Sequence, residues 1–410
     1  MQLSLFGGTT SFKIDKPIRL IELFGGISCQ AQALLNLGVD FENYRYCDFD
    51  KYACQSHNEI MGTKDKPSDI TKWKGEDLGV CDTDKYCYIM TYSFPCTDLS
   101  TAGKMAGMER GSGTRSGLLW EVERLLKECN ELPQVLLMEN VPQVHGKKNK
   151  ASFDEWCQFL ENLGYKNYWK DLNAKDYGVP QSRNRCFMVS LRGDYSYEFP
   201  EPIELKLKLQ DLLEDEVDER YYISDKMVNY ISAKNDKWLG NNGDNSCINR
   251  ECACTKTTRE GQTRADTSDY ICKQLPVNYK LNQVAQINDN LKTQLCNKLI
   301  QEGKVKENDV IRHSYSSNRL KNGDKNMGRI ENHEGLSPTL DTRCDCLGVC
   351  KNYRIRKLTP TECLRLMGVR DEYSKRMTCS NAQKYKQAGN GIVVDVLMAI
   401  FKKMINKEGL

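Results

Sequence analysis

The sequence predicts an α/β protein with a parallel sheet, joined to a smaller second domain of strands and loops. Three observations predict it. Over residues 17–200, short apolar runs alternate with amphipathic helical stretches, which is the rhythm of strand–helix–strand units. The rhythm stops at Pro200 and Pro202, and residues 221–350 are rich in Asn, Thr, Lys and Cys with frequent turn signals. The length, 410 residues, suits two to three folding units at roughly 150 residues each.

The first element is a buried strand over residues 18–24, ending in Gly25-Gly26. Ser28 and the spacing of Ala31, Leu34, Leu35 and Leu37 predict a helix that Gly38 stops. A strand from Tyr44 to Cys47 runs into Asp48-Phe49-Asp50. Further strands are predicted at residues 86–92, 135–138 and 186–191, and amphipathic helices at 117–129 and 153–163. In such a sheet, ligands gather at the carboxyl ends of the strands. Thr359-Pro360 opens a helix through Met367, because Thr caps a helix and Pro suits its first turn. Residues 391–401 read as a buried final helix.

Hydrophobic residues make up 39% and charged residues 28%, a globular balance that excludes collagen-like and largely disordered chains. No apolar run reaches the ~18 residues of a membrane span, and no secretory signal is read at the N-terminus, so a cytoplasmic protein is expected. There the 19 cysteines should be buried, catalytic or metal-bound rather than paired. The net charge of +3 is unevenly spread. Residues 351–410 carry 13 basic and 5 acidic side chains, whereas residues 201–220 carry 3 and 8. A basic segment beside an acidic connector suits a polyanion-binding surface, or simply a solvated charged face.

The sharpest chemical signal is Ser93-Phe94-Pro95-Cys96, directly after a buried strand, where an α/β sheet places a nucleophile. Glu139-Asn140-Val141 follows another buried strand, and Gln181-Ser-Arg183-Asn-Arg185 adds two guanidinium groups. A thiol, a carboxylic acid and cationic donors around one crevice suit addition to a cytosine ring. Thiolate addition at C6 breaks aromaticity and makes C5 nucleophilic toward an electrophilic methyl group; an acid at N3 and donors to O2 lower the barrier.

In order, Phe24-Gly25-Gly26, Ser93-Phe-Pro-Cys96, Glu139-Asn-Val, Gln181-x-Arg183-x-Arg185, Leu358-Thr-Pro-x-Glu-x-x-Arg-Leu366 and Gly389-Asn390 resemble the ordered motifs of DNA (cytosine-5) methyltransferases of bacterial and phage type. The resemblance covers about residues 17–200 and 354–405 and implies a Rossmann-like, S-adenosylmethionine-dependent domain. By it, Cys96 is the nucleophile, Glu139 protonates N3, and Arg183 and Arg185 contact the extruded base or its phosphates. Phe24, Gly25 and Gly26 would meet the methionine part of the cofactor. Asp48 would bind the ribose, Phe49 would stack on the adenine, and Asp69 would lie near its amino group. Leu118 would line the pocket, and Asn390 would orient the active-site loop. The sequence departs from the pattern at Thr97 and Asp98, where Gln and a small residue are common, and at Gly391, where Ser is frequent.

The expected organisation is a tail (residues 1–16), a catalytic domain (17–200 with 376–410) and a target-recognition domain (201–375). In the last, Lys256, Arg259 and Arg343 are expected to contact DNA. Its cysteines are spaced Cys-x-Cys and Cys-x-Cys-x-x-x-Cys rather than as paired Cys-x-x-Cys knuckles, so no metal is expected. Gln2-Leu3-Ser4-Leu5-Phe6 looks like the peptide by which bacterial replication and repair proteins dock on the sliding clamp, with Leu5 and Phe6 as apolar anchors. The partners expected are double-stranded DNA and that clamp, for a monomeric enzyme. Two competing readings are an RNA cytosine-5 methyltransferase and a non-catalytic DNA-binding regulator on the same fold. A nicotinamide oxidoreductase ranks below both, because the first turn lacks Gly-x-Gly-x-x-Gly.

Overall fold

The computed structural model describes residues 10–99, 106–222, 270–274, 310–312, 347–349 and 353–405. They fall into two units. The first holds the described residues up to Leu212 and from Pro360 onward; the second holds those from Leu213 to Thr359.

The first unit is built on six strands: β2 (Ile18–Leu23), β3 (Phe41–Cys47), β4 (Cys87–Tyr92), β5 (Val135–Asn140), β6 (Tyr165–Asn173) and β7 (Asn184–Arg192). A two-residue β1 (Thr10–Ser11) pairs in parallel with β8 (Tyr195–Ser196) outside this sheet. The sheet order is β3-β2-β4-β5-β7-β6. The first four strands are parallel, as expected, but β7 is antiparallel to both β5 and β6. The all-parallel expectation is therefore corrected to a mixed sheet. The physical reason is connection length: residues 174–183 link β6 to β7, fewer than the dozen or so that a parallel crossover takes. The chain turns back and slides β7 between β6 and β5. The expected strand at residues 186–191 is thus the middle of a longer one, while β6, whose exposed Trp169 and charged Lys166 and Lys170 blur its pattern, carried no sequence signal.

The helices are α1 (Cys29–Asn36), α2 (Lys51–Met61), α3 (Leu119–Glu128), α4 (Lys150–Asn162), α5 (Pro360–Arg365), α6 (Asp371–Ser374), α7 (Asn381–Asn390) and α8 (Val394–Met404). β4 and β5 are buried on both faces. Alternate residues Ile21, Leu23, Tyr88, Met90, Leu136 and Met138 share one cluster with α3 and α4, including Trp156, which is fully buried. Each such large side chain contributes roughly 2–3 kcal/mol on burial. α1 packs against α8. Ser28, expected to start α1, precedes it without capping it; its hydroxyl goes to His57 Nδ1 instead, at 2.6 Å. Asp50 and Gly62 close the ends of α2, an element the sequence reading left out.

In the second unit, Tyr270–Gln274 pairs antiparallel with Tyr353–Lys357, and Val310–Arg312 with Leu347–Val349. A short turn at Glu219–Tyr221 is capped by Asp218.

Candidate active site

Cys96 lies four residues beyond the end of β4, on a loop held from two sides. Asn140 Nδ2, at the end of β5, donates to the Phe94 carbonyl at 2.9 Å, and Ser116 Oγ donates to the Pro95 carbonyl at 2.6 Å. Phe94 itself is buried, which anchors the loop while leaving Cys96 half-buried. Asp98, one of the departures from the family pattern, has a role here. Its buried carboxylate accepts from the backbone N–H of Arg115 at 2.8 Å and of Ser116 at 3.4 Å, tying the Cys96 loop to the turn before α3.

Glu139 is almost fully buried at the carboxyl end of β5, where β7 runs past it in the opposite direction. That reversal brings the start of β7, rather than its end, to this edge. The Arg185 Nε lies 3.3 Å from Glu139 Oε1. Burial pushes the Glu139 carboxyl above its ordinary range, opposed by Arg185, Arg183 and the Ser93 hydroxyl. Burial, followed by the charge of Glu139, likewise raises the Cys96 thiol, and the two arginines pull it back. Cys96, Glu139 and the arginines therefore lie near enough to act on one another through their charges.

Arg183 has a different posture from Arg185. It is buried, and its Nη2 donates to the carbonyls of Gly389 at 3.0 Å and Gly391 at 2.8 Å. Burial, with the neighbouring Arg185, lowers it to about 9. It braces the segment that carries Asn390, which is the exposed last residue of α7. Gln181 Nε2 donates to the Leu366 carbonyl at 2.5 Å, a brace from the same segment to the end of α5.

A second cluster forms at the carboxyl ends of β2 and β3. Phe24, Gly26 and Ser28 all have left-handed φ, at 55°, 57° and 56°. Gly26 N–H donates to Asp48 Oδ2 at 2.9 Å, and the Asp50 N–H to Asp48 Oδ1 at 2.8 Å. Phe49, beside Asp48, is 81% exposed, unusual for so large an apolar side chain. The Ser68 N–H donates to the Asp48 carbonyl, which brings Asp69 close in the chain to this cluster. The Asp69 carboxylate already accepts from Thr71 N and Oγ1, which hold it below its usual range. Leu118 is partly buried against the main core.

Gly25 must stay small, because a Cβ there would sit 2.6 Å from the Tyr46 ring. Gly25→Ala is expected to cost roughly 1–3 kcal/mol, read as a lower midpoint of denaturant unfolding with unchanged slope.

The chain matches the family model of C-5 cytosine-specific DNA methylases over residues 18–406. It belongs to that family. The type II methyltransferase M2.ScrFI of Lactococcus lactis subsp. cremoris is 31% identical over 321 residues, 78% of this chain and 66% of the relative. The type II methyltransferase M.NlaX of Neisseria lactamica is 28% identical across 94% of the chain and 96% of its own length. The orphan methyltransferase M.SssI of Spiroplasma monobiae reaches 54% identity over 109 residues, 26% of the chain, and is matched over only 28% of its length. The same fold is found in the Entamoeba histolytica methyltransferase EhMeth (TM-score 0.64, 15% identity, 95% of this chain and 98% of that one) and in S. pombe Dnmt2 (0.60, 19%, 94% and 97%).

In this C-5 cytosine DNA methylase the sequence assigns no role to Tyr46, His57 or Asn140, side chains that hold the loops in place. Their signal lies in contacts between segments distant in the chain. Lys256, Arg259, Arg343 and the peptide Gln2–Phe6 lie outside the described residues, as do the side chains of the middle-domain cysteines. Among the described residues, His145, Asp171 and Cys186 are the group whose potential metal-ligating atoms lie within 4.8 Å of one another. No described helix is long and apolar enough to cross a membrane.

Proposed function

We propose that this methylase transfers a methyl group from S-adenosylmethionine to C5 of a cytosine in a defined double-stranded DNA sequence, acting as a cytoplasmic monomer. The observation that carries this reading is the convergence of Cys96, Glu139 and Arg185 on one edge of the sheet, with the Glu139–Arg185 contact at 3.3 Å. The target base must leave the helix, because C5 and C6 cannot meet a thiol inside the stack. Cys96 then adds through its sulfur to C6 while Glu139 delivers a proton to N3, so no negative charge builds on the ring. Arg185 orients Glu139 and offers donors to the base. After C5 has taken the methyl group, its proton passes to water, the C5–C6 double bond re-forms and the Cys96 sulfur leaves as the thiolate. N3 returns its proton to the Glu139 carboxylate.

The residues at the second cluster fit the cofactor. Gly26, with open space where a Cβ would stand, leaves its backbone open to a close approach, the partly buried Asp48 carboxylate suits ribose hydroxyls, and the exposed Phe49 offers a face for adenine. Bound there, S-adenosylmethionine supplies an electrophilic methyl group. Asp69 and Leu118 would complete the adenine end, and Asn390, braced by Arg183, would face the reacting end.

Residues 201–375 would serve target recognition, with Lys256, Arg259 and Arg343 as donors to bases and phosphates. Bisulfite sequencing of DNA from cells expressing the gene tests activity and site together; protected cytosines at one recurring sequence are expected, and uniform conversion would refute the reading. Methyl incorporation into tRNA but not DNA would favour the RNA alternative. The N-terminal peptide Gln2–Phe6 would tether the enzyme to the sliding clamp. A Leu5→Ala, Phe6→Ala double variant should lose binding to purified bacterial clamp in a pull-down while keeping methylation, and undiminished binding would remove the clamp as a partner.

A further inference from the structure

The turn after β2 departs from ordinary backbone geometry in a way its own residues do not explain. Gly26 adopts a left-handed φ readily, but Ser28 also sits at 56° and is fully buried. What surrounds it is a chain of hydrogen bonds. The Ser28 Oγ lies 2.6 Å from His57 Nδ1; His57 Nε2 lies 3.0 Å from Asp65 Oδ2 and 2.9 Å from Thr63 Oγ1. The Thr63 hydroxyl proton goes to Asn58 Oδ1 at 2.7 Å, so Nε2 faces two acceptors and carries the imidazole proton. Burial lowers the His57 pKa, which keeps the ring neutral, so Nδ1 is a bare acceptor and Ser28 must donate to it. The ring is also stacked on Tyr46, with centroids 3.8 Å apart and 11° between planes. The Tyr46 hydroxyl donates to the Gly26 carbonyl at 2.7 Å. One imidazole thus reaches the turn twice, through Ser28 and through Tyr46.

The Ser28 hydroxyl also acts on Glu22, a fully buried carboxyl on β2. Its Oε1 accepts weakly from the Ala31 N–H at 3.4 Å, and its Oε2 has no partner at hydrogen-bond distance among the described residues. We infer that His57, acting through Ser28 and Tyr46, is the positioning residue of the cofactor turn, and that Glu22 decides whether the Ser28 hydroxyl is free to serve it. While Glu22 is protonated it makes no demand on the one Ser28 proton. Once ionised, it competes for that proton, the Ser28–His57 bond is lost, and the turn relaxes.

Burial pushes the Glu22 carboxyl up to about 8, with the Ser28 hydroxyl and the Ala31 N–H opposing the rise. Because the shift is upward, the pinned turn is complete below that pH and is lost as pH rises through it. The charged or titratable groups acting on this network are Asp65, Asp48, Cys29, Cys47, Cys54 and Tyr46, with Arg183 and Glu139 acting on Cys29. Burial pushes Cys29 up to about 12 and Tyr46 higher still, so neither titrates near 8. Asp48 faces the same turn, so a Glu22→Gln comparison is needed to isolate Glu22.

The inference rests on the turn binding S-adenosylmethionine. The test measures the Kd of S-adenosylmethionine by calorimetry between pH 6 and 9.5, with kcat at saturating cofactor, for wild type, Glu22→Gln, His57→Phe and Tyr46→Phe. Thermal unfolding checks that each variant is folded. For wild type, Kd should be flat below about pH 7 and weaken several-fold above pH 8. Glu22→Gln, which cannot ionise, should flatten that alkaline rise. His57→Phe keeps the stacked ring but loses both nitrogens, and should weaken Kd roughly tenfold at pH 7 with kcat changed less than about twofold. Tyr46→Phe should fall between. An alkaline rise that persists in Glu22→Gln, or an unchanged Kd in folded His57→Phe, overturns the inference and leaves the cofactor assignment standing. Absence of binding by wild type at every pH overturns both.

Discussion

Cys96→Ser is expected to lower methyl transfer by roughly four orders of magnitude or more while leaving affinity for the specific DNA within a few-fold. The reason is chemical rather than structural. A serine hydroxyl fills the same space on a loop whose position is set by Asn140 and Ser116, not by the sulfur. What is lost is a nucleophile soft enough to add to C6. DNA carrying 5-fluorocytosine at the target sharpens the test, because fluorine at C5 leaves no proton to lose and the adduct cannot resolve. Wild type should form a denaturation-resistant complex with it and Cys96→Ser should not. Turnover by Cys96→Ser near the wild-type rate would remove Cys96 from the reaction.

Glu139→Gln is expected to slow methylation by roughly 10²–10⁴-fold, the range typical of a lost general acid. The structure adds a second readout with the opposite sign. Where Glu139 is charged it raises the Cys96 thiol, so the neutral amide should let that thiol ionise at lower pH and be alkylated faster by iodoacetamide. Slower methylation with faster alkylation separates proton delivery from thiol activation. If both fell together, Glu139 would be acting on Cys96 rather than on the base.

Much of the site was readable because it is local. Cys96 and Glu139 follow runs of apolar residues that only a buried strand explains, and a strand end is a fixed address in an α/β sheet. The glycine turn and the acidic-aromatic pair Asp48-Phe49 stand at the ends of β2 and β3 for the same reason. The arginines are the instructive exception. In the parallel sheet expected from periodicity, Arg183 and Arg185, which come before their strand, would lie at the far edge from Cys96. They reach the crevice because β7 runs antiparallel, and that direction depends on how a short connection folds back, not on any pattern within the strand. Expected as a pair with one role, they also divide: Arg185 meets Glu139, while Arg183 holds the carbonyls of Gly389 and Gly391.

By itself the sequence determined the order of strands and helices that periodicity could mark, the motifs that carry Cys96 and Glu139, and the family, since each is written in neighbouring residues or in short motifs. Tertiary structure alone decided the strand inserted in reverse, the separate contacts of the two arginines, the tie that Asp98 makes to the turn before α3, and the hydrogen bond from Ser28 to His57 beneath the turn after β2. Each of these depends on side chains far apart in the chain meeting in a buried space, where hydrogen bonds and charge count for most, and one chain's periodicity carries no record of such meetings.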